Sequence, residues 1–539
     1  MARSSSFAGG AALLGVVGLA CSALGSIFRI LLAHVIGDAG IAYYQIAYPI
    51  FSFLAVIATV GIPAAISKQI AYFVAREDYK NAHSFFITSL HTLLIAGLLL
   101  SGLMALLSDF ISSVQGVPDG GALILSVSPA LLFAFVICAI RGYFQGLMRM
   151  EPTAHSLVIE EVVKSAAGYA LMLLYLSGGT KMAAMGALWG IPIAEACAAL
   201  YLFVRYLNHR DVLRRFIRQT PKGYAPVSAR ERLRTLWKLS LPITLSASVL
   251  PLVSLLDNLI VINALKAYGF SQAMAQMRFG LLAGIIAPVV FVPMALGNAL
   301  QMSLVPAVSA SAALGRHDEV DQHVRIGVKL ALLIGLPCAV GLYLLGPPLL
   351  RVLFYKTLAD EATMTLATTL VRLLGAAVGF LIMAQTTNGI LQGVGDTNSP
   401  LTHLLGGAAI KVVLSIGLMS MFTVHITGAA IGTLACFAYI AMINLVRVRK
   451  LQKKPFGFER RWLAIILASA LMGAAALGSY SLCLLVLPMW LGVVIGILTG
   501  IICYAFLILR LRIIGSEDCR LIPGGLWLDS EMHRIGWWR

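Results

Sequence analysis

Runs of about twenty apolar residues return along this chain from end to end, separated by short polar turns. That pattern leaves few folds open. In hydrocarbon every backbone N–H and C=O must be bonded within the protein, so a chain crosses as helices or as a closed barrel. Barrel strands are roughly half as long and alternate in polarity, which selects helices here. The expected class is therefore an all-α polytopic membrane protein with about fourteen transmembrane helices. The spans are placed near 7–36, 41–74, 83–107, 121–148, 154–176, 183–206, 237–266, 277–313, 325–346, 364–391, 400–423, 427–450, 461–484 and 487–513. Composition agrees. Apolar residues make up 59% and charged residues 12% of the 539, against ~45–50% and ~25% in soluble domains. The longest polar stretch, 208–235, is too short for a soluble domain. The first apolar run continues past residue 30, so no cleaved signal peptide is expected. The eight cysteines form no CxxC pair or metal spacing and read as packing residues. No metal or cofactor is expected.

A duplication organises these spans. Arg141-Gly142-Tyr143-Phe144-Gln145-Gly146 is followed by Pro152 and by Lys164 in an apolar helix. Asn388-Gly389-Ile390-Leu391-Gln392-Gly393 is followed by Pro400 and by Lys411 in another. Gly389 and Lys411 trail Gly142 and Lys164 by the same interval, about 247 residues, the scale at which transporter folds repeat. Ile62-Pro63-Ala64-Ala65-Ile66-Ser67 and Val305-Pro306-Ala307-Val308-Ser309 extend the repeat, as do Gly186-Ala187 and Gly428-Ala429. The expected organisation is two pseudo-symmetric six-helix lobes, 7–206 and 237–450, joined by a basic cytoplasmic loop at 207–236. Two extra helices at 461–513 and a cytoplasmic tail at 514–539 follow. Six helices per lobe give both lobes the same orientation, about an axis along the membrane normal. Prolines interrupt the spans at 49, 63, 242, 251, 288, 293, 306 and 337. Each removes a helix hydrogen bond, and the freed carbonyl must find protein or cavity water.

The formal net charge is +17. Its distribution speaks against nucleic acid. Roughly 31 of the 40 Lys and Arg fall on one side of the span map, the positive-inside asymmetry. Both termini are thereby expected in the cytoplasm.

Ionisable residues inside spans are costly and usually face a cavity. They are Arg29, Glu160, Glu161, Lys164, Glu195, Asp257 and Lys411. Glu160 and Lys164 have the four-residue spacing of a pair on one helix face. Arg29 and Lys411 have no carboxylate one turn away, so their partners come from another helix or from a ligand. Three cations meeting between the lobes would suit a diphosphate, since arginine offers a planar fork and lysine a movable point charge. Glu160, Glu161, Asp257 and Glu195 are candidates for counter-charges, or for binding a coupling cation or proton.

These residues carry a resemblance. Arg29-Ile30-Leu31-Leu32-Ala33-His34-Val35-Ile36-Gly37, then Tyr44-Gln45, then Gly61-Ile62-Pro63-Ala64-Ala65-Ile66-Ser67-Lys68 resemble the start of the polysaccharide-transport branch of the multidrug/oligosaccharidyl-lipid/polysaccharide (MOP) exporter superfamily. That branch includes the stage V sporulation protein B group and the relatives of the lipid II flippase MurJ. Ser156, Glu160, Glu161 and Lys164 are similar to its fifth-span signature, with Leu157 and Glu161 where glutamines are usual. Ser303-Leu304-Val305-Pro306 and Gly389-Ile390-Leu391-Gln392-Gly393 match as well. The likeness covers roughly 7–450. It implies a two-lobe alternating-access flippase for a polyprenyl-diphosphate-linked saccharide, with Arg29 as a diphosphate ligand. Residues around Ile50 to Leu54 are mainly apolar where MurJ carries further cavity arginines, a departure that bears on which lipid-linked saccharide is carried. The extra helices resemble a groove for the lipid tail.

The expected partners are a lipid-linked saccharide, membrane lipids and proteins of cell-envelope synthesis; no nucleic acid is expected. Two other classes compete. A cation-coupled multidrug exporter of the same superfamily would want an acidic cavity. A membrane glycosyltransferase or polymerase would want catalytic carboxylates on outer loops, where Asp109, Asp119, Asp360 and Glu361 are scattered. The expectation is of a transporter and not an enzyme.

Overall fold

The structure is a computed structural model that describes residues 2–59, 61–218, 225–355, 358–396, 398–421, 425–452, 460–511, 513 and 534. The tail expected at 514–539, Arg534 apart, and residues 219–224 of the basic loop lie outside the described residues. The described chain is helical throughout: α1 (Ala2–Thr59), α2 (Gly61–Ala75), α3 (Tyr79–Leu106), α4 (Ser108–Val114), α5 (Gly121–Val127), α6 (Pro129–Gly146), α7 (Glu151–Leu174), α8 (Thr180–Arg218), α9 (Ala229–Ala247), α10 (Val249–Ala267) and α11 (Gln272–Phe279). A π-helical stretch, Gly280–Ile286, leads into α12 (Ala287–Val290). Then come α13 (Met294–Ala313), α14 (His317–Leu353), α15 (Glu361–Gly393), α16 (Asn398–Met419), α17 (Thr427–Leu451), α18 (Arg460–Cys483) and α19 (Met489–Arg510).

Eleven of the described segments are long and apolar enough to cross a membrane, where the sequence pattern marks fourteen spans. The difference has three local causes. The first two spans run together as one continuous segment, Ala20–Ala75. The fifth span, α7, carries Glu160, Glu161 and Lys164 in its middle. The seventh divides at Ser248 into α9 and α10, and the count takes in only the described residues of that stretch.

The first span does not in fact continue straight into the second. Gly37 has φ 66° and ψ −172°, a conformation that suits only a residue without Cβ. Arg29 and Tyr48 would stand roughly 28 Å apart on a straight helix, yet the guanidinium carbon lies 5.0 Å from the Tyr48 ring centroid. The helix therefore doubles back at Gly37, and this reversal builds the site described below.

The chain divides into two compact units, Met1–Gly284 and Ile285–Arg539. Helices α9 to α11 pack against α1, α2 and α3 of the first unit. That unit has an aromatic core between α3, α6 and α8, where the ring centroids of Phe86 and Tyr143 lie 4.5 Å apart and those of Tyr143 and Tyr206 5.7 Å. In the second unit α14, α15, α16 and α17 pack in succession, and α18 and α19 lie on α14 through Leu330, Leu333, Ile465, Ala468 and Ile508.

The duplicated sequences meet in the same way within each unit. A methyl group on Gly142 of α6 would come within 2.8 Å of Ile66 Cβ, and one on Gly146 within 2.7 Å of Ile70 Cβ, both on α2. On α15, Gly389 would meet Gln301 Cα at 3.0 Å and Gly393 would meet Val308 Cβ at 2.7 Å, both on α13. In each unit a glycine pair one helical turn apart lets a helix backbone close on the proline-containing partner, the small-residue packing usual between membrane helices.

Candidate functional site

Arg29 stands at the centre of the candidate site in the first unit. Its guanidinium lies over Tyr48, and Tyr44 stacks on Tyr48 with ring centroids 5.4 Å apart. The π faces supply negative potential to a cation held away from bulk water. Arg29, Leu32, Ile41, Tyr44, Gln45 and Gly284 line a small pocket of about 10 Å³, room for about one water. Pockets that hold small ligands run to about 300–1,000 Å³, so this one is too small, as it stands, for a saccharide.

The remaining charges of this unit cluster on α7 and its neighbours. Lys164 Nζ lies 2.6 Å from Glu161 Oε2, a pair three residues apart on α7. Glu160 pairs instead with Arg141 of α6, at 2.8 Å from Nη2 to Oε2. Arg141 Nε also donates to Ser156 Oγ at 2.8 Å. The four-residue pair Glu160–Lys164 expected from the sequence is thus replaced by two others. Tertiary packing of α6 on α7 brings a stronger, forked partner to Glu160 and leaves Lys164 to Glu161. Glu195 of α8 is buried and within electrostatic reach of Glu160, Arg141 and Lys164. Glu161 presses against α1. A methyl group on Gly25 would lie 2.7 Å from Glu161 Oε1, and that oxygen is buried without a hydrogen-bond partner. Glu161 is also within electrostatic reach of Arg29. One arginine face, two ion pairs and an unpaired carboxyl therefore form one charged group spread over α1, α6, α7 and α8.

Arg29 differs from the other two cations of this group. Among the described residues no carboxylate lies within ion-pairing distance of it. Arg29 is thus met by the Tyr48 face on one side and the small pocket on another.

The structure brings Arg29, Glu160, Glu161, Lys164 and Glu195 together. Asp257 lies half-buried on α10, next to Asn258. Lys411 belongs to the second unit, on α16, fully buried, with its ammonium donating to Thr433 Oγ1 of α17. Sequence reasoning passed over Arg141 because it sits near the end of its span. The signal was present in the repeat, where the matching position, Asn388, is also polar. Gln45 and Asn258 were passed over as well, being uncharged.

Comparison with known proteins bears on the group these residues form. The family model described as polysaccharide biosynthesis protein matches residues 7–312, and that of the lipid II flippase MurJ matches 169–501. Stage V sporulation protein B of Bacillus subtilis is 24% identical over 96% of this chain and 98% of its own length. The lipid II flippase MurJ of the same bacterium is 24% identical over 84% of each chain. Among solved structures, a lipid II flippase MurJ in an inward closed conformation superposes with a TM-score of 0.65 at 14% identity, covering 93% of this chain and 99% of the other. An inward-facing multidrug resistance MATE transporter superposes with a TM-score of 0.59 at 18% identity, covering 81% and 97%.

Proposed function

Since this chain belongs to the polysaccharide-biosynthesis and lipid II flippase branch of the MOP exporter superfamily, we propose that it is a flippase for a polyprenyl-diphosphate-linked saccharide, a precursor of the cell envelope, and not an enzyme. The observation that carries this reading is Arg29: a cation with no carboxylate partner among the described residues, backed by Tyr48 and facing a pocket. The diphosphate enters with its saccharide from the cytoplasmic face while the polyprenyl tail stays in lipid. The Arg29 fork takes two phosphate oxygens, which a lysine cannot do as well. Lys164 is the second contact, held by Glu161 while the site is empty and shared with the phosphate when it fills. Lys411 is the third candidate contact and requires release from Thr433 to serve. The two halves of the repeat, 7–206 and 237–450, then rock to expose the head group on the other side. A membrane potential, negative inside, drives an anionic head group outward by ~2.3 kcal/mol per charge per 100 mV.

The test is transport of a fluorescent polyprenyl-diphosphate saccharide by the purified protein in liposomes. Arg29→Ala is expected to lose most of the rate and Arg29→Lys to keep part of it. Full activity in Arg29→Ala removes this residue from the mechanism. A second reading, cation-coupled export of drugs, is favoured by one observation, the gathering of Glu160, Glu161 and Glu195. It requires that raised expression protect cells against cationic drugs and that Glu195→Gln abolish that protection.

A further inference from the structure

Two prolines in the first half of the helix order and just beyond it leave carbonyls open, and side chains from other helices close them. Pro49 stands four residues after Gln45 on α1. A helix carbonyl is bonded by the N–H four residues on, and proline has none, so the Gln45 carbonyl lacks its ladder donor. Asn258 of α10, fully buried, supplies one: its Nδ2 lies 2.8 Å from the Gln45 carbonyl oxygen and 3.3 Å from that of Ile46. The same substitution occurs at Ala283. It lies in the π-helical stretch, where the donor comes from five residues on, and that residue is Pro288. The Gln45 side-chain amide donates to the Ala283 carbonyl in its place.

The surfaces around these bonds are closely fitted. Methyl groups on Gly280 and Gly284 would run into the Asp38 carbonyl and the Ile41 side chain, so α1 and the π stretch touch backbone to backbone. Further along α10, Asn263 Nδ2 donates to the Val114 carbonyl at 2.6 Å and Lys266 Nζ to that of Gly116 at 3.2 Å. Ile41, Gln45 and Gly284 at this contact are also walls of the Arg29 pocket.

We propose that residues 249–284 form a latch over one end of the Arg29 pocket, held shut by Asn258 and Gln45 filling the carbonyls that Pro49 and Pro288 leave open. Parting the latch breaks no bond within a helix. The two carbonyls pass from a side-chain amide to water entering the opened pocket, an exchange that membrane proteins tolerate where backbone lines a wet cavity. An unbroken helix in either place would have no open carbonyl to offer. The closed arrangement is also not over-stabilised, because Asn258 Oδ1 is buried with no partner among the described residues. The latch deepens the reading of Arg29 as the anion contact by naming what parts before a head group leaves on the outer side, and its test does not depend on transport.

The experiment places a thiol at the pocket wall by Ile41→Cys in a full-length chain whose own cysteines are replaced, reconstituted in nanodiscs. A water-soluble maleimide then reports opening. Asn258→Leu is expected to raise the labelling rate by roughly tenfold or more, since the closed state then buries an unpaired carbonyl. Adding Pro49→Ala returns a donor to that carbonyl and is expected to bring the rate most of the way back. Gln45→Met, with Pro288→Ala as its rescue, tests the second bond in the same way and stands in if Asn258→Leu fails to fold. Labelling unchanged by both Asn258→Leu and Gln45→Met, or raised but not lowered by the proline replacements, overturns the latch. If the latch variants behave as expected while Arg29→Ala transports fully, the latch stands and the anion reading falls.

Discussion

Arg141 and Asn388 occupy the same place in the duplicated motif, each just before its first glycine; Arg141 reaches α7, the helix that follows, and Asn388 reaches α17, the second helix on. In the first unit the arginine holds Ser156 and Glu160, and Lys164 is held by Glu161. In the second unit Asn388 Oδ1 accepts from Asn444 Nδ2 at 2.8 Å, and His403, at the position matching Ser156, bonds Asn444 Oδ1 at 2.7 Å. The positions of the two glutamates are Gly407 and Ala408, and Lys411 turns to a threonine hydroxyl. One scaffold thus carries an ionic network in one copy and a neutral amide network in the other. Ion pairs in a low-dielectric setting cost much when half is removed, whereas neutral hydrogen bonds cost less. The first copy is therefore the more constrained of the two, and it is the one that bears the pocket.

That contrast is open to direct attack. The largest effect is expected from Arg141→Leu, which strands Glu160 and should lower stability by about 3–5 kcal/mol. Asn388→Leu at the matching place should lower it by about 1–3 kcal/mol. Denaturant unfolding in mixed micelles measures both, and equal losses would break the comparison. Next, Lys164→Met should destabilise until Glu161→Gln is added, with a coupling of about 1–3 kcal/mol in the double-mutant cycle. Gly25→Ala follows, at about 1 kcal/mol or somewhat more, because its methyl meets Glu161 Oε1. The smallest effect lies outside the membrane. Burial raises the Asp396 pKa, but hydrogen bonds from Ser399 and Arg447 outweigh it and hold the carboxyl below its ordinary 3.8. A folded pKa below the unfolded one gives stability that is complete above the ordinary value and lost as pH falls through the depressed one. Asp396→Asn should remove that acid dependence, by under about 1 kcal/mol since Arg447 is half exposed. The first copy has Arg149 at the matching position, bonded to His209 in place of a carboxylate.

The sequence by itself determined that this chain is helical and membrane-embedded, and it displayed a recurring motif and a handful of charges within the apolar runs. It did so because hydrocarbon permits few backbones and because apolar runs, repeats and stray charges are one-dimensional signals. It also marked the prolines whose carbonyls would need partners. It did not decide who those partners are. Glu160 chose Arg141 over Lys164 because α6 packs on α7, a contact between residues nineteen apart that helix periodicity cannot rank. Arg29 came to Tyr48 because Gly37 reverses the chain. Asn258 reached the Gln45 carbonyl across 213 residues. Pairing of this kind depends on distances through space, and only the packed helices set those.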